Sequence, residues 1–342
     1  MSDLKPLLPE RHPQTDMFFC DISDAVIKDD MASMEHPIFA LTKQPYMKAR
    51  KYENGGNWFE VIPSDKGIAN IYDKDILIFA ISQIMAAKNE GREYGKHVSF
   101  VAHDYLVFSN KGTSGREYDA LKDSLRRLGG TRLETNIKTG DQEVTKGFGL
   151  VDSYTIRRET LDGRVLEWGI TLSDWLFNAI ESNQVLTLNP RYFRLRKPLE
   201  RRLYEIARKH CGIKDNWRIS IDLLQNKCGS TSPKKKFRFM LKHIEEHDHL
   251  PDYRVSLDGD MVIFHRTGKV GNSEVRGISS TSLIPALSPS TLEKAGEWCR
   301  AKRLDKYALE AEWREWASQS PESIQNVDAA FLGFVKKKVS EA

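Results

Sequence analysis

Cysteine is scarce and scattered. Cys20, Cys211, Cys228 and Cys299 lie far apart, with no C-x-x-C pair among them. That spacing excludes a dense disulfide framework and a four-cysteine zinc site, and it predicts reduced thiols in a reducing compartment. Long apolar runs are missing too: none approaches the ~20 residues that a membrane helix needs. The opening residues are polar and acidic, unlike a secretory signal. A soluble, cytoplasmic chain with no membrane partner is expected. There is no G-x-x-x-x-G-K-[ST] loop, because Gly91-Arg92-Glu93-Tyr94-Gly95-Lys96 has the wrong spacing. ATP hydrolysis is therefore not expected. No Ser-His-Asp or Cys-His set can be assembled without a fold, and no cofactor is implied.

Bulk charge is also slight, +4 over 342 residues. Its distribution is uneven. Met1–Tyr72 carries 8 Lys and Arg against 11 Asp and Glu, whereas Arg191–Lys269 carries 19 against 10. A basic block of this kind either neutralises phosphates or merely solvates helix surfaces. Its richest stretch, SPKKKFRFMLKHIEEHDHL (232–250), favours the first reading. Phe237, Met240, Leu241 and Ile244 recur at the i, i+3, i+4, i+7 spacing of a buried helical stripe. Lys235, Arg238 and Lys242 fall on another face. Ser232 is the expected N-cap, with Pro233 in the first turn. A short helix capped by Ser220, a Cys228–Thr231 turn, this basic helix and then a hairpin (253–257 and 261–265, joined by Asp258-Gly259) follow in order. That is the order of a helix-turn-helix with a β-hairpin wing, which lays its second helix in the major groove.

The length suits two domains and a small third. Residues 1–35 read as an irregular acidic leader. A first domain, 36–172, has a helix from Asp75 to about Asn89, a strand at His97–Phe100 and a short helix at Ala102–Phe108. Ser114-Gly115-Arg116-Glu117 reads as a capping box. The helix it opens turns Tyr118, Leu121, Leu125 and Leu128 inward and stops at Gly129-Gly130. Strands are expected near 132–137, 148–158 and 164–172, the last after an Asp162-Gly163 turn. The second domain, 173–267, repeats the element order: helix Pro198–His210, strand Trp217–Ile219, then the helix pair and hairpin, with another helix at Ser173–Ser182 as the joint. Residues 268–290 read as a Gly/Ser/Thr-rich linker. Residues 291–342 read as a helical tail carrying Trp298, Trp313, Trp316, Phe331 and Phe334. The predicted class is therefore α+β: two tandem winged-helix domains plus a small C-terminal helical tail.

Candidate DNA-binding residues follow from this layout. On the basic helix they are Lys234, Lys235, Lys236, Arg238, Phe239 and Lys242, with Arg238 placed for a bidentate contact to guanine. Phe239 lies on the same outward side and either meets thymine methyls or, with the helix rotated, joins the core. His265 and Arg266 close the wing and reach flanking backbone or form a plain surface hairpin. In RYFRLRKPLERR (191–202), Arg194, Arg196 and Lys197 can track phosphates. Arg201 and Arg202 can equally pair with Glu200 and Glu205 on their own helix. Arg116, Lys122, Arg126 and Arg127 give the first domain a weaker basic helix, facing Glu117, Asp119 and Asp123.

Two enzymatic readings compete. His243-Ile244-Glu245-Glu246-His247 matches H-x-x-E-H, with His249 nearby, but lacks a clear third zinc ligand. His is also welcome at the C-terminal end of a helix. Tyr204 is a conceivable nicking nucleophile, yet the periodicity of its helix already accounts for it. Neither a metal site nor an enzyme is expected.

These residues also carry a family resemblance. MASMEHPIFALTK (31–43), IYDKDILIFAISQIMAAKN (71–89), LKDSLRRLGGTRLETNIKTG (121–140), GFGLVDSY (147–154), TLSDWLFNAIESNQVLTL (171–188), YFRLRKPLERRLYEIARKHCG (192–212) and EHDHLPDYRV (246–255) resemble the plasmid replication initiator protein A family of bacteria, over about 31–266. AAFLGFVKKK (329–338) resembles the end of longer members. The resemblance implies two winged-helix domains that bind repeated double-stranded origin DNA, in a homodimer in equilibrium with monomer. It implies origin opening, recruitment of the host initiator and replicative helicase, and repression of the initiator's own gene by dimers. The reading helix would be the one holding Lys234, Lys235, Lys236, Arg238 and Lys242. A winged-helix repressor without a replication role, and a nicking rolling-circle initiator, stay open as alternatives.

Overall fold

The computed structural model describes residues 7–12, 26–54, 57–139, 142–158, 165–267 and 326–341, with isolated positions between 287 and 317. The chain forms two compact units, Met1–Gly271 and Asn272–Ala342. The Asp162-Gly163 turn and nearly all of the expected 268–290 linker lie outside the described residues.

The first unit opens with strand β1 (Lys28–Asp30) and helix α1 (Met31–Glu35), where an irregular leader is expected from sequence. Strands β2 (Arg50–Asn54) and β3 (Asn57–Ile62) precede the central helix α2 (Lys74–Asn89). Next come β4 (His97–Phe100), α3 (Ala102–Phe108) and α4 (Gly115–Gly130). Four strands follow: β5 (Arg132–Thr139), β6 (Gln142–Gly149), β7 (Val151–Arg158) and β8 (Val165–Leu172). The expected 148–158 strand is thus two strands. It breaks at the wholly buried Leu150, where the chain leaves one sheet for another. One sheet has the order β2-β3-β5-β6 and the other β4-β8-β7, both antiparallel. Helix α5 (Asp174–Glu181) and strand β9 (Val185–Thr187) complete this half. β9 pairs antiparallel with β1, Lys28 opposite Thr187, which is what orders residues 28–30.

Helix α2 sits between two cores. Ile76, Leu77, Phe79, Ala80 and Ile81 pack into the first core, with Leu121, Leu125 and Leu128 of α4 and Leu176 and Ile180 of α5. Ile78 packs into the second. An apolar surface on every side suits a helix buried on every side, not the single inward face that an amphipathic reading expects. Because α5 contributes to the first core, it is part of that body rather than a joint. Ser114 precedes α4 but its side chain makes no capping bond, so the S-x-x-E box does not form.

After a 3₁₀ turn (Pro190–Arg194), helix α6 (Pro198–His210) leads to β10 (Asn216–Ser220), α7 (Ile221–Cys228), α8 (Lys234–His247), β11 (Tyr253–Asp258) and β12 (Met261–Arg266). The Ser220 hydroxyl accepts from the Leu223 amide and caps α7. Gly229 ends it at φ +66°, the left-handed conformation that glycine adopts without strain. Ser232 does not cap α8; Pro233 occupies the N-cap position, and the Ser232 carbonyl accepts from Gln225 Nε2. The strand order β10-β12-β11 matches β4-β8-β7. In both sets a strand precedes a helix pair, and the last strand lies in the middle. The hairpin β5–β6 is an addition in the first half that joins the other sheet.

In the second unit, helix α9 (Val327–Glu341) brings Phe331 and Val335 against Trp313, Ala295 and Cys299. The Trp313 and Phe331 rings meet edge to face, centroids 5.3 Å apart.

Candidate nucleic-acid interface

Helix α8 has the two faces that its spacing predicts. Phe237, Leu241 and Ile244 are buried in the second core, while Met240 is half-buried against it. Lys234, Lys235, Lys236 and Lys242 are exposed. Phe239 is 67% exposed, so the helix is not rotated to bury it.

These outward residues are not equally free. Lys234 is tied back to α7 by Asp222, at 2.7 Å. Arg238 is half-exposed and held by the hairpin turn. Its guanidinium donates to the Asp260 carboxylate at 2.5 Å and to the Gly259 carbonyl at 2.6 Å. Lys235, Lys236 and Lys242 have no ion-pair partner among the described residues. They and Phe239 are the open groups of the face.

The hairpin differs from the expectation. His265 and Arg266 do not sit at its tip. They lie at the opposite end of β12, where His265 faces Asn216 and Arg254 and Arg266 faces Tyr253. His265 Nε2 is 2.8 Å from the Ser256 hydroxyl, and Arg266 is exposed. The tip itself is acidic. Asp258 takes Arg218 at 2.9 Å and Asp260 takes Arg238, so two carboxylates there are spent on arginines.

The 191–202 stretch is largely committed to the fold. Arg201 and Arg202 are buried, 3% exposed each. Arg202 pairs with Glu205 on its own helix at 3.2 Å, whereas Arg201 reaches Asp75 on α2 at 2.6 Å. Arg194 is half-buried, donating to the Leu8 carbonyl at 2.9 Å with Glu10 at 3.7 Å. Arg196 is half-buried. Lys197 remains exposed, with its amine 3.4 Å from His243 Nδ1, which sets it beside α8. Burial, then Lys197 and His247, hold the His243 imidazole below its ordinary pKa.

On α4, Arg116 and Arg126 are exposed and Lys122 is half-buried; Arg126 pairs with Asp123 at 3.3 Å. Arg127 turns inward and binds Asp73 through both Nε and Nη2 at 2.7 Å. Tyr204 is wholly buried; its hydroxyl accepts from the Asn189 amide at 2.8 Å and donates to Asp252 at 3.1 Å. Burial raises its pKa well above the phenol value, the reverse of what a nucleophile needs. His243 and His247 stack on each other, centroids 3.9 Å apart, and His249 turns away to Glu200 at 3.0 Å. Among the described residues no group of His, Cys, Asp or Glu is arranged to hold a metal ion, and no helix is long and apolar enough to cross a membrane. Cys211, Cys228 and Cys299 are buried, and burial pushes the Cys228 thiol up to about 12.

Sequence reasoning missed the charged cluster behind this surface. Lys74 of α2 is wholly buried between Asp29 of β1 at 2.6 Å and Glu205 of α6 at 3.2 Å. Asp75 receives Arg201 and Lys111. The signal was faint: a Lys-Asp pair opening an apolar helix reads as an ordinary polar N-terminus.

Comparison with known proteins identifies the family and a similar fold. The family model for "Replication initiator protein A" matches residues 28–255. A "Putative replication protein" of Wigglesworthia glossinidia brevipalpis is 38% identical over 253 residues, covering 72% of this chain and 91% of that one. Among solved structures, a crystal structure of domains 2 and 3 of RctB superposes with a TM-score of 0.52 at 13% identity, over 70% of this chain and 99% of that chain. At that identity the likeness is one of fold.

Proposed function

We propose that this chain, which belongs to the replication initiator protein A family, binds repeated duplex DNA at a plasmid origin and acts there without catalysis. One observation carries the reading. The outward face of α8, with Lys235, Lys236, Phe239 and Lys242 open, stands opposite a stripe seated in the second core. A rigid helix with a free basic face and a hairpin beside it fits the major groove of B-DNA, about 12 Å wide. We read both β4-β8-β7 and β10-β12-β11 sets, each with its helix pair, as winged-helix modules. The second module reads sequence. The first, where Arg116 is open and Arg126 is half-neutralised by Asp123, makes lighter backbone contacts or joins two copies.

Roles within α8 divide by partner. Lys235, Lys236 and Lys242 neutralise phosphates, which gives affinity and register. Arg238, preset by the hairpin turn, reads a base edge only by exchanging Asp260 for guanine. Lys197, beside His243, extends the phosphate track. Arg194, Arg201 and Arg202 belong to the fold. Opening of the duplex and recruitment of host initiator and helicase follow from occupancy of the repeats.

Footprinting the full chain on DNA flanking its gene tests this. Protection of regularly spaced repeats is expected, lost when Lys235, Lys236 and Lys242 are all changed to Ala. Uniform protection without repeats would refute it. Supercoiled origin DNA with Mg²⁺ separates the nicking reading, since a protein-linked open circle would require a nucleophile other than the buried Tyr204.

A further inference from the structure

Most buried cations among the described residues are paired with carboxylates, and Arg208 instead donates to the Thr187 carbonyl at 2.7 Å. Lys74 with Asp29 and Glu205, Arg202 with Glu205, Arg201 and Lys111 with Asp75, and Arg127 with Asp73 all compensate. Arg50, on β2, does not. It is 8% exposed, and no carboxylate of the described residues lies within ion-pair distance. Its terminal nitrogens make long bonds to the carbonyls of Gly229, Pro37 and Ile38, at 3.4, 3.3 and 3.2 Å. Its Nε has no hydrogen-bond partner among the described residues. The rings of Tyr46 and Tyr52 lie 5.3 and 5.9 Å from the guanidinium and supply only π-face attraction. Burial depresses its pKa, with only the Tyr52 and Tyr46 phenols, and no carboxylate, opposing the shift. A cation this deep without a counter-charge is unfavourable unless something supplies one.

Arg50 lines a pocket of about 400 Å³ beside α8. That volume lies within the range of small-molecule sites, about 300–1,000 Å³. Leu41, Leu199, Phe239, Met240 and Ile244 form much of its wall. Lys197, exposed, stands at its rim. Glu200 also lines it, already engaged by His249 at 3.0 Å and by the Lys197 amide at 2.9 Å. An apolar wall, one guanidinium with an unsatisfied N–H and one nearby carboxylate select the ligand. A dianion would be repelled by Glu200, and a neutral apolar molecule would leave Arg50 unpaired.

We propose that this pocket binds a small amphipathic monoanion, a carboxylate or sulfonate on an aryl or medium-chain body. The headgroup accepts from the Arg50 guanidinium, and the body lies along Leu199, Met240 and Ile244. The site shares Phe239 and Lys197 with the surface proposed to bind DNA, but it rests on Arg50, which that reading does not use.

Titration of the full chain with 1-anilinonaphthalene-8-sulfonate tests it. A single saturable site is expected, displaced by decanoate and not by decanol. Arg50→Met should weaken the probe about 10–100-fold, the range of a lost charge-assisted hydrogen bond. The uncharged N-phenyl-1-naphthylamine should bind that variant as it binds the natural chain. Met240→Trp, which fills the pocket from its half-exposed wall, should abolish both probes. Circular dichroism identifies a misfolded variant; if Arg50→Met fails to fold, Met240→Trp and the decanoate–decanol comparison decide. Absence of a saturable site, equal displacement by decanol, or undiminished binding by a folded Arg50→Met would overturn the proposal. Displacement by duplex DNA but not by decanoate would assign Arg50 to a phosphate and would overturn it too.

Discussion

Lys74→Met should be the most damaging single change in the buried charge cluster. Lys74 Nζ is wholly buried, 2.6 Å from Asp29 and 3.2 Å from Glu205. Removing it leaves the two acids in unequal positions. Glu205 keeps Arg202 at 3.2 Å and the Tyr192 hydroxyl at 2.6 Å. Asp29 keeps only the Asp30 amide at 3.0 Å and no other cation among the described residues. At an effective dielectric of about 20, one ion pair at this separation is worth about 6 kcal/mol before desolvation. Desolvation returns part of that, and broken buried pairs typically cost about 3–5 kcal/mol. The same loss is expected here, a large share of a domain stability of about 5–15 kcal/mol. Urea unfolding followed by circular dichroism at pH 9, where Asp29 is ionised in the folded chain, measures it. Lys74→Met/Asp29→Asn should recover at least half, because it leaves no stranded carboxylate. A single-variant loss below about 1 kcal/mol, typical of a surface change, would refute the reasoning. So would a double variant no more stable than the single.

Asp29 also sets a pH dependence. Burial pushes its carboxyl up to about 8, against the opposing pull of Lys74. Between the unfolded value of 3.8 and about 8, the folded chain holds a proton that the unfolded chain releases. Stability from this group is therefore complete at low pH and falls as pH rises toward 8, by at most about 1.4 kcal/mol per pH unit. Urea midpoints from pH 5 to 8.5 should show the decline, and Asp29→Asn should flatten it. Arg238→Ala should cost about 1–3 kcal/mol on a cognate repeat and less on random duplex, read by titration of labelled DNA; equal losses would remove it as a base reader. Lys235→Ala should weaken all duplexes alike and flatten the salt dependence of binding. An unchanged salt slope would mean that Lys235 touches no phosphate.

What was legible along the chain was local. The face of α8 that packs and the face that stays open follow from a 3.6-residue period over Phe237–Ile244, and the hairpin follows from Asp258-Gly259. The helix pair and its turn are visible for the same reason. The fate of individual charges was not. Arg201 and Arg202 carry the same spacing whether they face a phosphate or an acid, yet one is drawn to Asp75, 126 residues away, and the other to its neighbour Glu205. Arg238 looks free until the fold brings Asp260 against it. The capping serines misled because Ser114 and Ser232 match a pattern whose bond depends on backbone placement.

The amino-acid order by itself determined the helix pair, the basic face and membership of a replication initiator family, since periodicity and long matching stretches need no partner from elsewhere in the chain. Only the tertiary structure decided which cations are spent inside: Lys74 between Asp29 and Glu205, Arg50 beside a pocket with carbonyls but no carboxylate among the described residues, Lys235 and Lys242 left in solvent. Burial and counter-charge are properties of residues that meet across the fold, and no local pattern encodes who meets whom.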